Sequence, residues 1–146
     1  MTTENSFVDN YIAYLLARAS HLVSSEFHAV IEASGLSLME WRVMASLSGK
    51  DSLNINELSQ IVLAKQPTVT KLIGRMQEAG WVNRYDAIQD KRQSLVSLTH
   101  EGHQKVAPLL VLARTHEIKV AEVIGLKESI YLKKILKHLI EVRNQI

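Results

Sequence analysis

The chain has 146 residues and no cysteine, and its 17 basic and 15 acidic side chains give a formal net charge of +2. This length is enough for one ordinary domain with a sizeable core. The lack of cysteine excludes disulfides, thiolate zinc sites and thiol-based sensing of oxidants. No apolar run approaches the roughly 20 residues that span a bilayer, and no secretory signal is visible. We therefore expect a cytoplasmic protein without a membrane partner.

The positive charge is concentrated in one part of the chain. Residues 65–93 hold six basic and three acidic side chains, a net charge of +3. The remainder holds 11 basic and 12 acidic side chains, a net charge of −1. Because contact with a phosphate backbone requires a local excess of positive charge, residues 65–93 are the first candidate for a binding surface.

The chain begins with two predicted helices. Helical spacing of apolar residues, without glycine or proline, predicts the first from Phe7 to about Ile31. Gly35 is the expected C-terminal cap of that helix. Ser37 and Glu40 fit a capping box at the start of the second helix, which continues to Gly49.

A third helix follows a short extended segment at residues 53–55. Asn54 and Glu57 form the same capping pattern at its start. Its expected buried stripe consists of Leu58, Ile61 and Val62. A turn at residues 63–66 then leads into the fourth helix.

The fourth predicted helix, residues 67–79, has the sharpest amphipathic pattern in the chain. Its apolar positions follow i, i+3, i+4, i+7 spacing and are Val69, Leu72, Ile73 and Met76. Pro67 fits the first helical position, where its missing N–H costs nothing. Gly74 would let the outward face approach a bulky partner closely. The candidate contacts for a nucleic acid are Gln66 at the end of the turn and, on this helix, Pro67, Thr68, Thr70, Lys71, Gly74 and Arg75.

A basic hairpin is predicted after Gly80. Residues 81–85 and 94–98 have strand composition, and the polar connector DAIQDKRQ joins them. The guanidinium of Arg92 suits the narrow, electronegative minor groove of DNA. Asp90 is placed to orient that arginine or to brace the loop, and we expect Lys91 and Gln93 to contact phosphates. Two helices followed by such a hairpin is the layout of a winged helix-turn-helix; an ordinary charged hairpin tip is the alternative.

The last third of the chain is predicted to be two helices. Thr99 caps a helix from about His100 to Val123, with a bend or break expected at Pro108. Gly125 separates it from a final helix whose apolar positions are Leu132, Ile135, Leu136, Leu139 and Val142. The terminal helices are more apolar than a small winged-helix core needs, which predicts a homodimer interface. Completion of a monomeric core is the alternative.

Residues 37–102 resemble the MarR family of bacterial transcription regulators. The matching segments are NINELSQIVLAKQPTVTKLIGRMQEAG, WVNRY, DKRQSLVSLT and the following EG. The flanking helices match in length and order, so the resemblance covers nearly the whole chain as a single domain, residues 1–146. It implies a mainly α-helical fold with a small β-hairpin wing. The DNA-binding lobe is then residues 37–102, and the helical dimerisation lobe is residues 1–35 and 103–146.

The resemblance also implies a function. Family members are homodimers that bind pseudo-palindromic operators in double-stranded DNA, usually as repressors. Many release DNA when a small aromatic or phenolic acid, here possible also as its coenzyme A thioester, binds between the dimer helices and the DNA-binding lobe. The wing role carries over to Arg92 and the recognition-helix role to Thr68, Thr70, Lys71 and Arg75. The oxidant-sensing branch depends on cysteines that this chain lacks, and no cofactor is implied.

An effector pocket would be lined by the first helix, the second helix and the start of the fifth. The candidate lining residues are Tyr14, Arg18, His21, Ser25, Trp41 and Met44. Arg18 can pair with a carboxylate, and His21 or Ser25 can bond a phenol. Trp41 and Met44 fit equally well as core residues, and Arg18 as part of a surface or dimer salt bridge.

Other classes of function have weaker support. Six histidines leave a zinc- or pH-responsive regulator open, although no zinc-motif spacing is present and we expect no metal site. The chain has no Gly-rich phosphate loop, nucleophile elbow or cysteine nucleophile, so we do not expect an enzyme. A winged-helix module that binds protein instead of DNA is the remaining alternative.

Overall fold

The computed structural model describes residues 6–89 and 92–144. In these residues the chain forms one short 3-10 helix, six α-helices and a three-stranded antiparallel sheet, which confirms the predicted fold class. The elements are a 3-10 helix at Phe7–Asn10, α1 Ile12–Ala33, α2 Leu38–Ser48, β1 Leu53–Asn54, α3 Ile55–Val62, α4 Gln66–Glu78, β2 Val82–Asp86, β3 Ser94–Leu98, α5 His100–Ile124 and α6 Leu126–Asn144. The chain divides into two compact units, Met1–Val111 and Leu112–Ile146.

The helix boundaries follow local hydrogen-bonding signals. In α2, the Glu40 N–H donates to Ser37 Oγ (3.1 Å), and the Glu40 carboxylate accepts from the Ser37 N–H (2.8 Å). Asn54 and Glu57 make the same reciprocal pair at the start of α3. Caps of this kind stabilise a helix by about 1 kcal/mol. Gly35 follows α1 with a φ of +85°, as a C-terminal glycine should.

The predicted start of the first helix at Phe7 was wrong. Phe7–Asn10 is a 3-10 turn, and α1 begins only at Ile12, because Tyr11 is extended. The Asp9 carboxylate accepts the Ser6 N–H at 3.2 Å. This bond caps the start of the 3-10 helix, and the extended Tyr11 separates that helix from α1.

The sheet has the strand order β1–β3–β2. The predicted hairpin pairs β2 with β3 from Val82 opposite Leu98 to Asp86 opposite Ser94. β1 adds a third strand by placing Leu53 opposite Val96. The sequence predicted only that residues 53–55 are extended, because β3, the partner strand of β1, lies far away in the chain. The sheet therefore ties the start of the helix-turn-helix to the hairpin.

The core of the first unit lies between α2, α3, α4 and the sheet. The four apolar positions of α4 are all buried, as predicted, and so are Leu58 and Val62 of α3. Ile61 was wrongly placed in the α3 stripe, because its side chain is 44% exposed. The core-facing side of α3 instead includes Ser59, whose hydroxyl donates to the Ile55 carbonyl at 2.8 Å. This local bond lets a polar residue occupy the buried face.

A bend or break was predicted at Pro108, and the helix is not broken there. α5 runs without interruption from His100 to Ile124. Proline removes one helical hydrogen bond, and both Pro108 and Gln104, whose carbonyl loses that bond, are exposed to water. Solvent can satisfy the free carbonyl, so the helix continues.

The second unit contains the end of α5 and all of α6. Lys133 Nζ of α6 lies 2.8 Å from Glu117 Oε1 of α5. Among the described residues of this unit, only the Ser129 side chain is buried, and its hydroxyl donates to the Leu126 carbonyl. Most apolar side chains here are exposed. None of the helices in the described residues is long and apolar enough to cross a membrane.

Gly102 supplies a test of how closely α5 packs against Trp81 in the first unit. A Cβ at this position would overlap the Trp81 carbonyl oxygen and lie 3.0 Å from Leu98 Cδ2. Gly102→Ala should therefore lower the free energy of unfolding by about 1–3 kcal/mol or more, as overpacking does. Urea denaturation measures this loss. Gly49→Ala is the matched control, since a Cβ at that exposed position meets nothing within 4 Å. Equal stability of the two variants would contradict the close approach of α5 to Trp81.

Candidate nucleic-acid interface

The candidate recognition helix is α4. Its apolar side is buried against the core, so the opposite side is held toward solvent. All seven residues predicted as nucleic-acid contacts in this part of the chain lie within α4, and Gln66 is its first residue. Five are exposed and two are half-buried. The exposed residues are Gln66, Pro67, Thr68, Lys71 and Arg75, and the half-buried ones are Thr70 and Gly74.

The N-terminus of α4 differs from those of α2 and α3. Lys65 stands at the N-cap position without a side-chain hydrogen bond to the helix, whereas α2 and α3 both have capping boxes. Pro67 is the second residue of α4 and not the first as predicted, because Gln66 is already helical. No capping side chain therefore neutralises the positive end of the α4 helix dipole, and a lysine lies next to it.

The turn between α3 and α4 contains a residue that sequence patterning did not single out. Leu63 has a φ of 60° and a ψ of 44°, the left-handed conformation that glycine normally adopts. A side chain in this conformation costs about 1–2 kcal/mol. The Leu63 side chain is also 82% exposed. The tight turn between α3 and α4 therefore forms despite the backbone strain at Leu63.

The hairpin β2–β3 forms the wing. The Ala87 N–H donates to the Gln93 carbonyl at 2.9 Å, which closes the strands below the tip. Arg92 and Gln93 lie exposed in or beside that tip. Asp90 and Lys91, also predicted as site residues, lie outside the described residues. A further cation, Arg84 on β2, was not predicted, and its guanidinium donates to Ser94 Oγ at 3.1 Å.

The base of the wing is attached to α5 through Thr99. Its hydroxyl donates to the Gly80 carbonyl (2.6 Å) and accepts from the Gly102 N–H (2.9 Å). Its backbone N–H donates to the Trp81 carbonyl at 3.0 Å. Lys105 of α5 makes two further contacts. Its ammonium donates to the Ser34 carbonyl at the end of α1 at 2.8 Å, and it lies 5.8 Å from the centre of the Trp81 ring at the base of the wing. A cation over an indole face is attractive.

The six candidate effector residues divide into two groups. Tyr14, Arg18, His21 and Ser25 are exposed along α1. The Ser25 hydroxyl donates to the His21 carbonyl at 2.6 Å, a bond within the helix. On α2, Met44 is fully buried, and Trp41 packs against Phe27 with ring centroids 5.5 Å apart.

His28 on α1 was not singled out from the sequence as a candidate residue. Its Nε2 atom is buried and has no hydrogen-bond partner among the described residues. Sequence patterning could not distinguish it from the other histidines, since burial of one ring nitrogen depends on packing. The same described residues contain no group of three or more His, Cys, Asp or Glu side chains able to hold a metal ion.

Comparison with known proteins agrees with this geometry. Residues 34–93 match the model of the MarR family. A MarR family transcriptional regulator from Silicibacter pomeroyi, SPO1453, is 32% identical, with a TM-score of 0.83 over 94% of this chain and 98% of that one. The HTH-type transcriptional regulator YwoH of Bacillus subtilis is 30% identical over 68% of this chain and 72% of its own length. The homoprotocatechuate degradative operon repressor of Escherichia coli is 31% identical over 62% of this chain and 60% of its own.

The fold, the exposed side of α4 and the wing define a winged helix-turn-helix protein, and the relatives place it among transcription regulators. The chain belongs to the MarR family. The relatives named above are transcription regulators. The family assignment from the sequence is thereby confirmed, whereas the roles of individual side chains stay predictions.

Proposed function

We propose that this protein is a homodimeric repressor that binds a pseudo-palindromic operator in double-stranded DNA. The observation that carries the proposal is the two-sided character of α4. Its apolar side is locked in the core, and its other side presents hydroxyl, amide and basic groups to solvent. Such groups can bond base edges and phosphates when a helix enters the major groove.

In this proposal the wing contributes a second contact with DNA. Arg92 enters the minor groove next to the site read by α4, because a guanidinium is attracted to its negative potential. Lys91, Gln93 and Asp90 serve as phosphate contacts or loop braces as predicted. The bonds of Thr99 at the base of the wing keep the hairpin in a constant position relative to α4.

The proposed homodimer is supported by apolar side chains that are exposed to water in the single chain. On α6, the positions Leu132, Ile135, Leu139 and Val142 share one helix face, and each is at least 36% exposed. Tyr131 and Ile140 of the same helix are exposed by 60% or more. In the first unit, Ile12 and Leu15 of α1 are also exposed. Apolar surface on this scale marks an interface, and a two-fold dimer matches a palindromic operator.

The effector is proposed to be a small aromatic or phenolic carboxylate, free or as a coenzyme A thioester, that binds beside α1 and α2. The unpaired Nε2 of His28 supports a polar ligand there, because a buried ring nitrogen without a partner is costly until it is bonded. Arg18 on the same helix can pair with the carboxylate. The E. coli relative represses an operon for degradation of homoprotocatechuate, itself an aromatic acid.

DNA binding is tested with the upstream region of the protein's own gene. The affinity should fall steeply as salt rises, since phosphate contacts release counterions. Arg92→Ala should weaken binding by about 1–3 kcal/mol without loss of the fold. Lys50→Ala removes a positive charge from an exposed loop elsewhere in the same unit and should change binding little. Absence of any salt-dependent binding would favour a protein-binding module, and an unaffected Arg92→Ala variant would remove the wing from the mechanism.

Gly74 gives a test in which stability and binding move in opposite directions. A Cβ at Gly74 meets nothing within 4 Å, so the fold itself does not require glycine there. Gly74→Ala should raise the free energy of unfolding by up to about 1 kcal/mol through helix propensity. It should lower DNA affinity, because the added methyl group separates α4 from the DNA. Higher stability with unchanged affinity would show that Gly74 does not face DNA.

The dimer is tested on α6. Ile135→Glu combined with Leu139→Glu should place charges in the interface and shift the protein from dimer to monomer. Analytical ultracentrifugation reports the change in mass. Lys134→Glu, a charge change at a neighbouring exposed position, is the control and should remain dimeric. A dimeric double variant would exclude this face of α6 from the interface.

The effector is tested with a panel of aromatic acids and their coenzyme A thioesters. A true effector should raise the melting temperature of the protein and lower its DNA affinity, since it stabilises one of two states. His28→Phe should weaken both responses, whereas His138→Phe on exposed α6 should not. If the two histidine variants respond alike, His28 has no part in effector binding.

A further inference from the structure

A side-chain hydrogen bond joins the two helices of the helix-turn-helix at their N-terminal ends. Gln66 Nε2, at the first position of α4, donates to Asn56 Oδ1 of α3 at 3.0 Å. Both residues are exposed. Neither is an N-cap, because Asn54 caps α3 and Lys65 stands at the cap position of α4. The bond therefore satisfies no buried group and no helix end; what it does is orient one amide against the other.

The orientation leaves Gln66 with a defined set of free groups. A glutamine amide has two N–H donors and a carbonyl acceptor. Asn56 occupies one donor, so one N–H and the carbonyl oxygen remain. In the major groove adenine presents an N6 donor beside an N7 acceptor, and a glutamine amide can bond both. The groups that Asn56 leaves free on Gln66 match adenine.

We propose that Gln66 is a specificity-determining residue that reads one adenine in each operator half-site, and that Asn56 is its positioning residue. The inference rests on the proposed function, since it requires α4 to enter the major groove. Asn56 holds the long glutamine side chain before DNA arrives, so less rotamer freedom is lost on binding. Asn56 also keeps two donors of its own for a phosphate oxygen.

The choice of base is measured by selection of bound duplexes from a random DNA pool, with the full chain and sequencing of the bound fraction. The wild-type protein should enrich a two-fold symmetric motif with adenine at one position of each half-site. Gln66→Met keeps the length of the side chain but removes its hydrogen bonds, so preference at that position should fall about 10-fold or more. Preferences elsewhere in the motif should persist. Gln66→Glu should change the preferred base to cytosine, because a carboxylate accepts from N4 of cytosine.

Substitutions of Asn56 test the positioning role. Asn56→Ala should reduce the preference for adenine several-fold while the motif stays the same. Asn56→Asp still accepts the Gln66 N–H and should retain the preference, even if its charge lowers affinity for every sequence alike. Gln77→Met, the same substitution at an exposed position near the other end of α4, is the matched control and should select the wild-type motif.

The outcomes separate this inference from the function on which it depends. If the wild-type protein enriches no sequence, the proposed function is wrong and the inference falls with it. If the wild type enriches a motif that Gln66→Met also enriches unchanged, only the inference is overturned. A uniform loss of affinity in Gln66→Met, with every base preference retained, overturns it as well. Wild-type preference in Asn56→Ala would overturn the role of Asn56.

Discussion

The burial of one side of α4 is the constraint on which the rest of the molecule depends. Val69, Leu72, Ile73 and Met76 are each at most 2% exposed, so α4 can neither rotate nor slide without exposing them. Turning the helix would move large side chains out of a close-packed core, at a cost of several kcal/mol. The polar face is thereby presented to solvent in one orientation. Packing of the apolar side therefore fixes the orientation of the α4 residues that are proposed to contact DNA.

The wing obtains its position from the same core by a different kind of bond. Thr99 uses its hydroxyl and its N–H to hold the backbone at Gly80 and Trp81, and the absence of a side chain at Gly102 lets α5 approach Trp81. The Trp81 N–H in turn donates to the Met76 carbonyl at 3.0 Å. The end of α4, the wing and the start of α5 thus share one hydrogen-bonded junction. The proposed contacts of α4 and the wing with two DNA grooves would need such rigidity, because the spacing between them must stay constant.

The chain separates its chemistry along its length. Positive charge is concentrated between residues 65 and 93, where phosphate contact is proposed. Exposed apolar surface is concentrated instead on α1, the end of α5 and α6. The first kind of surface binds a highly charged polymer reversibly and in a salt-dependent way. The second kind would be removed from water in the proposed homodimer. Both are consistent with a regulator that stays assembled while it binds and releases DNA.

Local signals in the sequence determined most of the elements of this fold, because caps and periodic apolar positions act within a few residues. The capping boxes of α2 and α3 and the buried stripe of α4 were predictable for this reason. Tertiary structure alone decided the pairing of β1 with β3, the exposure of Ile61, the bond from Gln66 to Asn56 and that from Lys105 to Ser34, 71 residues away. These features require groups distant in the chain to meet in space, and a pattern read along one segment holds no information about its partner.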